Sequence, residues 1–153
     1  AALGVVSACG ESAPKAPAVE ELRSPLDQAR HDGALAAAAA TAIGIPPQVA
    51  AALTVVATQR TSHARALATE IARAAGKLVS ATSETSSSSP SPTDPAAPPP
   101  AVSDVIDSLR TSAGEASRLV ATTSGYRAGL LASIAASCTA SYTVALVPSG
   151  PSI

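Results

Sequence analysis

The chain has 153 residues and a net charge of −1, enough for one modest domain and without a field of one sign to draw in nucleic acid or anionic lipid heads. Hydrophobic residues make up 46%, yet Phe, Trp and Met are absent and the only aromatics are Tyr126 and Tyr142. That mixture excludes an aromatic-rich sheet sandwich and base-stacking platforms, and favours a core of Ala, Leu, Val and Ile in which helix backbones approach closely.

Ala1 to Ala8 form a short apolar run ending in small residues, and Val6-Ser7-Ala8-Cys9 has the order of a bacterial lipobox. Small residues there fit a signal peptidase, and the Cys9 thiol accepts a diacylglyceryl group, palmitate being a common acyl chain. The run has no initiator Met and no basic segment, so residues 1–8 are read as the remnant of a lipoprotein signal peptide, with the mature chain starting at Cys9. The rival reading, an ordinary thiol in a loose tail, does not explain why the apolar run stops at this cysteine. Residues 9–23 are polar and contain Pro, which suits a flexible tether between a membrane and a domain.

Ser24-Pro25-Leu26-Asp27 carries a Ser cap, a Pro for the first helical position and an acid for the first turn, and predicts a helix over 25–42. Gly44 offers a left-handed stop, and Pro46-Pro47 ends that helix and starts the next, expected over 47–76 with Gly76 as its cap. Val49, Leu53, Val56, Leu67 and Ile71 recur on one side of it at helical spacing. Residues 78–100 include TSSSSPSPTDPAAPPP, which buries too little apolar surface to offset the entropy of ordering, and are read as a disordered Ser/Pro linker, either bare or glycosylated.

A third helix is expected over 103–121, with Val102, Ile106, Leu109, Ala113, Ala116 and Val120 on one stripe and Asp104, Asp107, Arg110, Glu115 and Arg118 off it. A fourth follows over 126–147, its stripe formed by Leu131, Ile134, Ala135, Cys138, Tyr142 and Ala145, before a short tail over 148–153. Two helical hairpins joined by a long linker predict an all-α, antiparallel four-helix bundle over 24–147. A membrane span near 128–147 is the main rival, because Ala128 to Ile153 carries no charge, but five Ser and Thr residues from Ser133 to Thr143 thin its apolar content.

Candidates for chemistry are few. Arg60, His63 and Glu70 fall on or beside the apolar face of the second helix, His63 and Glu70 two turns apart along one edge. His31, between Arg30 and Asp32, has a solvated setting, and Cys138 on an apolar stripe reads as an inert buried thiol. No nucleophile elbow and no Gly-rich phosphate loop occurs. No catalytic, cofactor-binding or metal-ligating residue is assigned, and lipidation of Cys9 is the one site expected.

In its bundle pattern and in QRTSHARALATEIARAAGK (59–77), the chain resembles the ferritin-like superfamily, in its alanine-rich actinobacterial branch of mycobacterial-type lipoproteins. Di-iron members use Glu-x-x-His on two helices. Here His63 matches the His, but Arg60 stands where the Glu belongs, and a guanidinium repels cations. The resemblance therefore implies a ferritin-like fold lacking the di-iron ligands. The resulting expectation is a cell-envelope lipoprotein on the outer face of the plasma membrane, its bundle binding or scaffolding an envelope protein or a small ligand. The alternatives are a ferritin-like metal or redox protein drawing on His63, Glu70, Glu115 and His31, and an integral membrane protein.

Overall fold

The computed structural model of the protein describes residues 19–76 and 97–147, and among these the fold is all-helical. Its helices are α1 (Arg23–Ala39), α2 (Pro47–Ala74), α3 (Val102–Val120) and α4 (Gly125–Ala140). A 3-10 turn (Val19–Leu22) leads into α1 and a π-helical turn (Ser141–Ala145) follows α4. The expected signal remnant, Cys9, residues 9–18 of the tether, residue 77 with residues 78–96 of the 78–100 linker, and the tail from Pro148 lie outside the described residues.

Chain entry differs from the sequence reading. Helical structure begins at Val19 rather than after residue 23, and Leu22, not Ser24, is the residue before α1. The cause is tertiary: Leu22 is buried in the core, and holding it there winds the preceding turn. Ser24 is thereby freed from capping, and its hydroxyl donates to Glu115 of α3 instead. The α1 end also comes earlier than expected, at Ala39, followed by turn hydrogen bonds from Thr41 and Ala42 and by Gly44 at φ +83°. A left-handed φ of that kind suits glycine, which has no Cβ to clash.

Pro47 opens α2, where a missing N–H costs nothing, and Gly76 at φ +69° follows its end. At the start of α3 the Asp104 carboxylate accepts the Ala101 N–H at 3.0 Å, satisfying a donor that the helix leaves orphaned. Beyond α4, the Leu146 N–H reaches back five residues to the Ser141 carbonyl at 3.0 Å. This wider turn inserts one residue into the register. Ala145, expected on the buried stripe, is therefore exposed, and Leu146 takes the inward place.

The seven residues 40–46 between α1 and α2 and the four residues 121–124 between α3 and α4 are too short for anything but antiparallel hairpins. Side-chain pairs give the rest of the order. Ser24 meets Glu115 while Gln28 and Asp32 meet Ser108, so α1 runs antiparallel to α3. Arg127 meets Glu70 while Ser137 meets Gln59, so α4 runs antiparallel to α2. The helices thus neighbour one another in the cyclic order α2, α1, α3, α4, and the α2/α4 seam is the loosest.

Ala29, Ala36 and Ala39 of α1 are fully buried, and the small side chains let α2 and α3 close on them. Leu53, Val56 and Leu67 of α2, Val105 and Leu109 of α3, and Leu131 and Ile134 of α4 fill the space between. Val105, which the stripe assignment for α3 omitted, is buried, whereas Val102, Ile106 and Val120 are only partly so. At the rim the Arg110 guanidinium lies 5.3 Å from the Tyr142 ring centroid, a cation–π contact tying α3 to the π turn.

Candidate functional site

Asp32 is the residue the sequence reading placed wrongly. It was assigned the solvated surroundings of His31; His31 is indeed exposed, but Asp32 is fully buried. It falls on the α1 stripe with Ala29 and Ala36, facing α2 and α3. A carboxylate there needs a full set of partners. The Arg60 guanidinium, itself 2% exposed, supplies two, from Nε at 3.0 Å and Nη2 at 2.9 Å. The Ser112 hydroxyl donates to the same oxygen, Oδ2, and the Ser108 hydroxyl and the Gln28 amide donate to Oδ1. Three helices are thus pinned to one carboxylate.

His63 completes this cluster at its half-buried edge. Arg60 Nη1 lies 3.1 Å from His63 Nδ1, and because a guanidinium only donates, that nitrogen must accept and the ring must be neutral. Burial, aided by the neighbouring Arg60 charge, lowers the His63 pKa to about 4. Cys138 of α4 is buried nearby, and desolvation raises its thiol pKa. A thiol held protonated is a poor nucleophile.

A second ion group lies at the other end of the α2/α4 seam, beside a cavity of about 380 Å³ lined by Thr69, Glu70, Arg73 and Tyr126. Glu70, 2% exposed, accepts from Arg73 one turn on, at 2.7 Å to each carboxylate oxygen, and from Arg127 Nε of α4 at 2.7 Å. The Arg73 hydrogen bonds, with help from Arg127 and against the opposing effect of burial, lower the Glu70 pKa to about 2. The sequence places His63 and Glu70 along one helix edge, where arginines at short spacing can meet them. Each is met, but by different arginines in two separate clusters.

The metal-site alternative required His63, Glu70, Glu115 and His31 to converge. Among the described residues no group of three His, Cys, Asp or Glu side chains is placed to hold a metal ion. Arg60, at the position where the resemblance implies a ligand, directs its guanidinium into the middle of the helices. Nor does any buried side-chain nitrogen or oxygen among the described residues lack a hydrogen-bond partner. A polar cluster whose buried atoms are all partnered rigidifies and sets helix register.

An open surface exists elsewhere. Toward the end of α4 its seam with α2 widens into a groove of about 500 Å³, lined by Ala52, Val55, Val56 and Gln59 of α2 and by Ser137, Ala140, Ser141, Val144 and Ala145. No lining residue is charged. The groove lies where residues 33–59 and 128–147, the two charge-free stretches, meet in space. Its polar groups are neutral: Ser137 donates to Gln59 Oε1 at 3.3 Å, and Ser141 donates to the Ser137 carbonyl at 2.9 Å. The π turn contributes by pushing Val144 outward, 74% exposed, while Leu146 goes to the core. Val55 and Val147 are also exposed, as is Ile43 in the α1–α2 turn, which lies toward the same end.

No protein-family model, curated protein or solved structure matches this chain.

Proposed function

We propose that the protein is a lipid-anchored binding module of the cell envelope, its four helices forming a ferritin-like bundle without di-iron chemistry. The observation that carries the binding reading is the open, charge-free groove at one end of the seam between α2 and α4. Three helix pairs close on one another, and the fourth leaves an apolar groove whose size falls within the range of about 300–1,000 Å³ usual for small-molecule sites. Support for the ferritin-like order comes from two antiparallel hairpins joined by one long connection, with α1 antiparallel to α3. Location rests on the Val6-Ser7-Ala8-Cys9 lipobox and on the polar residues that follow it.

Anchor and groove have separate tests. Mass spectrometry of membrane-purified protein is expected to find a diacylglyceryl-modified Cys9, and Cys9→Ala in the precursor to release the protein or leave it unprocessed. Unmodified Cys9 on membrane-bound protein would end the anchor reading. For the groove, a photo-crosslinking residue placed at Val144 in cells should yield a specific adduct that the same residue at Arg118, on α3, does not. Identical, non-specific labelling at both positions would end the binding reading.

One observation favours a second reading. The segment Gly125–Ala145 spans 21 residues and contains an 18-residue stretch with a mean hydropathy of 1.3, long and apolar enough by length and composition to cross a membrane. A core helix passes the same test, and here Leu131, Ile134, Ala135 and Cys138 are buried against the other helices. Extraction of Cys9→Ala protein by alkaline wash supports the packed helix; a requirement for detergent supports the span.

A further inference from the structure

We infer that the α2/α4 groove receives one neutral, unbranched aliphatic chain, of the kind carried by a monoacylglycerol. This rests on the binding-module reading and names the ligand class for that site. Charge is the first argument. No lining residue is charged, so an ionised head drawn into the groove would lose hydration against neutral amide and hydroxyl groups and no counter-charge. The buried part of the ligand is therefore neutral.

Shape narrows the choice. Val56 and Ser141 are the buried lining residues, small Ala52 and Ala140 lie beside them with Val55 and Val144 exposed at the rims, and no aromatic ring lines the groove. Flat rings and sugars thus find no stacking face, whereas a flexible methylene chain gains contact with every residue of the slot. A partner helix of roughly 10–12 Å diameter and 5.4 Å pitch fills about 400–600 Å³ per turn. A groove of about 500 Å³ would seat a single turn of it. A second copy of the chain is disfavoured because a stable dimer needs roughly 20–30 residues on each side. Nine residues line the groove.

The two ends of the slot suit an amphiphile with a neutral head. Toward the middle of the helices lie Gln59 and Ser137; with its carbonyl oxygen taken by Ser137, the Gln59 side chain offers its N–H groups to a hydroxyl or ester oxygen. Toward the end of α4 lie the exposed Val144 and Val147, an apolar lip over which a chain can pass from a lipid phase.

Monolauroylglycerol, titrated below its micelle concentration into full-length Cys9→Ala protein by isothermal calorimetry, tests this; the substitution keeps the protein's own acyl chains out of the groove. Saturable binding of one molecule per chain is expected. Ala140→Phe, which fills the slot from an exposed position, and Val55→Asp, which charges the rim, should each weaken binding at least tenfold while circular dichroism stays unchanged. Laurate, ionised at pH 8, should bind at least tenfold more weakly than the neutral ester. Absence of saturable binding, equal affinity for laurate, or full affinity in both variants would overturn the inference. Light scattering that detects a dimer abolished by Ala140→Phe would overturn it too, yet would leave the binding-module reading standing with a different occupant.

Discussion

Asp32→Ala is expected to cost about 3–5 kcal/mol, because it strands the Arg60 guanidinium in the interior without the carboxylate that compensates its burial. Arg60 is 2% exposed and receives its charge compensation from Asp32 within the cluster, and Ser108 and Ser112 lose their acceptor at the same time. For a domain of this size, that loss lowers the thermal midpoint by about 10–25 °C. Replacing both charges, as Asp32→Leu with Arg60→Met, should recover most of the loss, since a buried ion pair is often no more stabilising than well-packed apolar side chains of similar volume. A double-mutant cycle read by urea denaturation separates these effects. A single Asp32→Ala loss below about 1 kcal/mol would show that Arg60 reaches water, and that the cluster is not the sealed pin described above.

Acid should destabilise the fold in two windows. His63 has its pKa lowered to about 4 from 6.5, so the unfolded chain binds a proton more readily than the folded one between those values. Its contribution is complete above pH 6.5 and is lost as pH falls toward 4. Glu70 is lowered to about 2 from 4.5, and its contribution is complete above 4.5 and disappears as pH falls toward 2. Thermal midpoints measured from pH 7.5 to pH 2.5 should therefore decline first through the histidine window and then through the carboxylate window. His63→Gln, which keeps a neutral polar side chain next to Arg60, should remove the upper decline and leave the lower one. A wild-type midpoint that stays level between pH 7 and pH 5 would contradict a neutral His63 held against Arg60.

Both expectations concern a cluster that builds rather than reacts. The buried polar atoms are all partnered, while the groove between α2 and α4 carries no charged residue. The groove proposed for binding and the two ion clusters share no residue.

Much of this was legible in the residues themselves. Alanine-rich helical stripes, Pro46-Pro47 and Gly44 between α1 and α2, and the polar Ser/Pro run ahead of Ala101 determine an all-helical chain and the places where helices must stop, because these depend on local backbone conformation and on the period of burial. A closer reading of the stripes reaches Asp32 as well. Leu26, Ala29, Asp32, Ala36 and Ala39 form one face, and Leu53, Val56, Arg60, Ala64 and Leu67 another, so an acid and a base stand at inward positions on adjacent helices. Inward charges of opposite sign on neighbouring helices signal a buried pair, and treating Asp32 with its sequence neighbour His31 hid that signal.

Only the tertiary structure decided the rest. It brought a second arginine to Glu70, since Arg73 lies one turn away while Arg127 arrives from α4, and sequence distance does not encode that approach. It moved the start of α1 ahead of Ser24, because burying Leu22 outweighed a surface cap. It turned Ala145 outward and Leu146 inward through a π turn that no local preference announces. And it left α2 and α4 apart beyond Gln59, creating a groove from two uncharged stretches far apart in the chain. Local preferences act over a few residues, so they determine where helices form; which faces meet, and which pair stays open, follows from the simultaneous packing of all four.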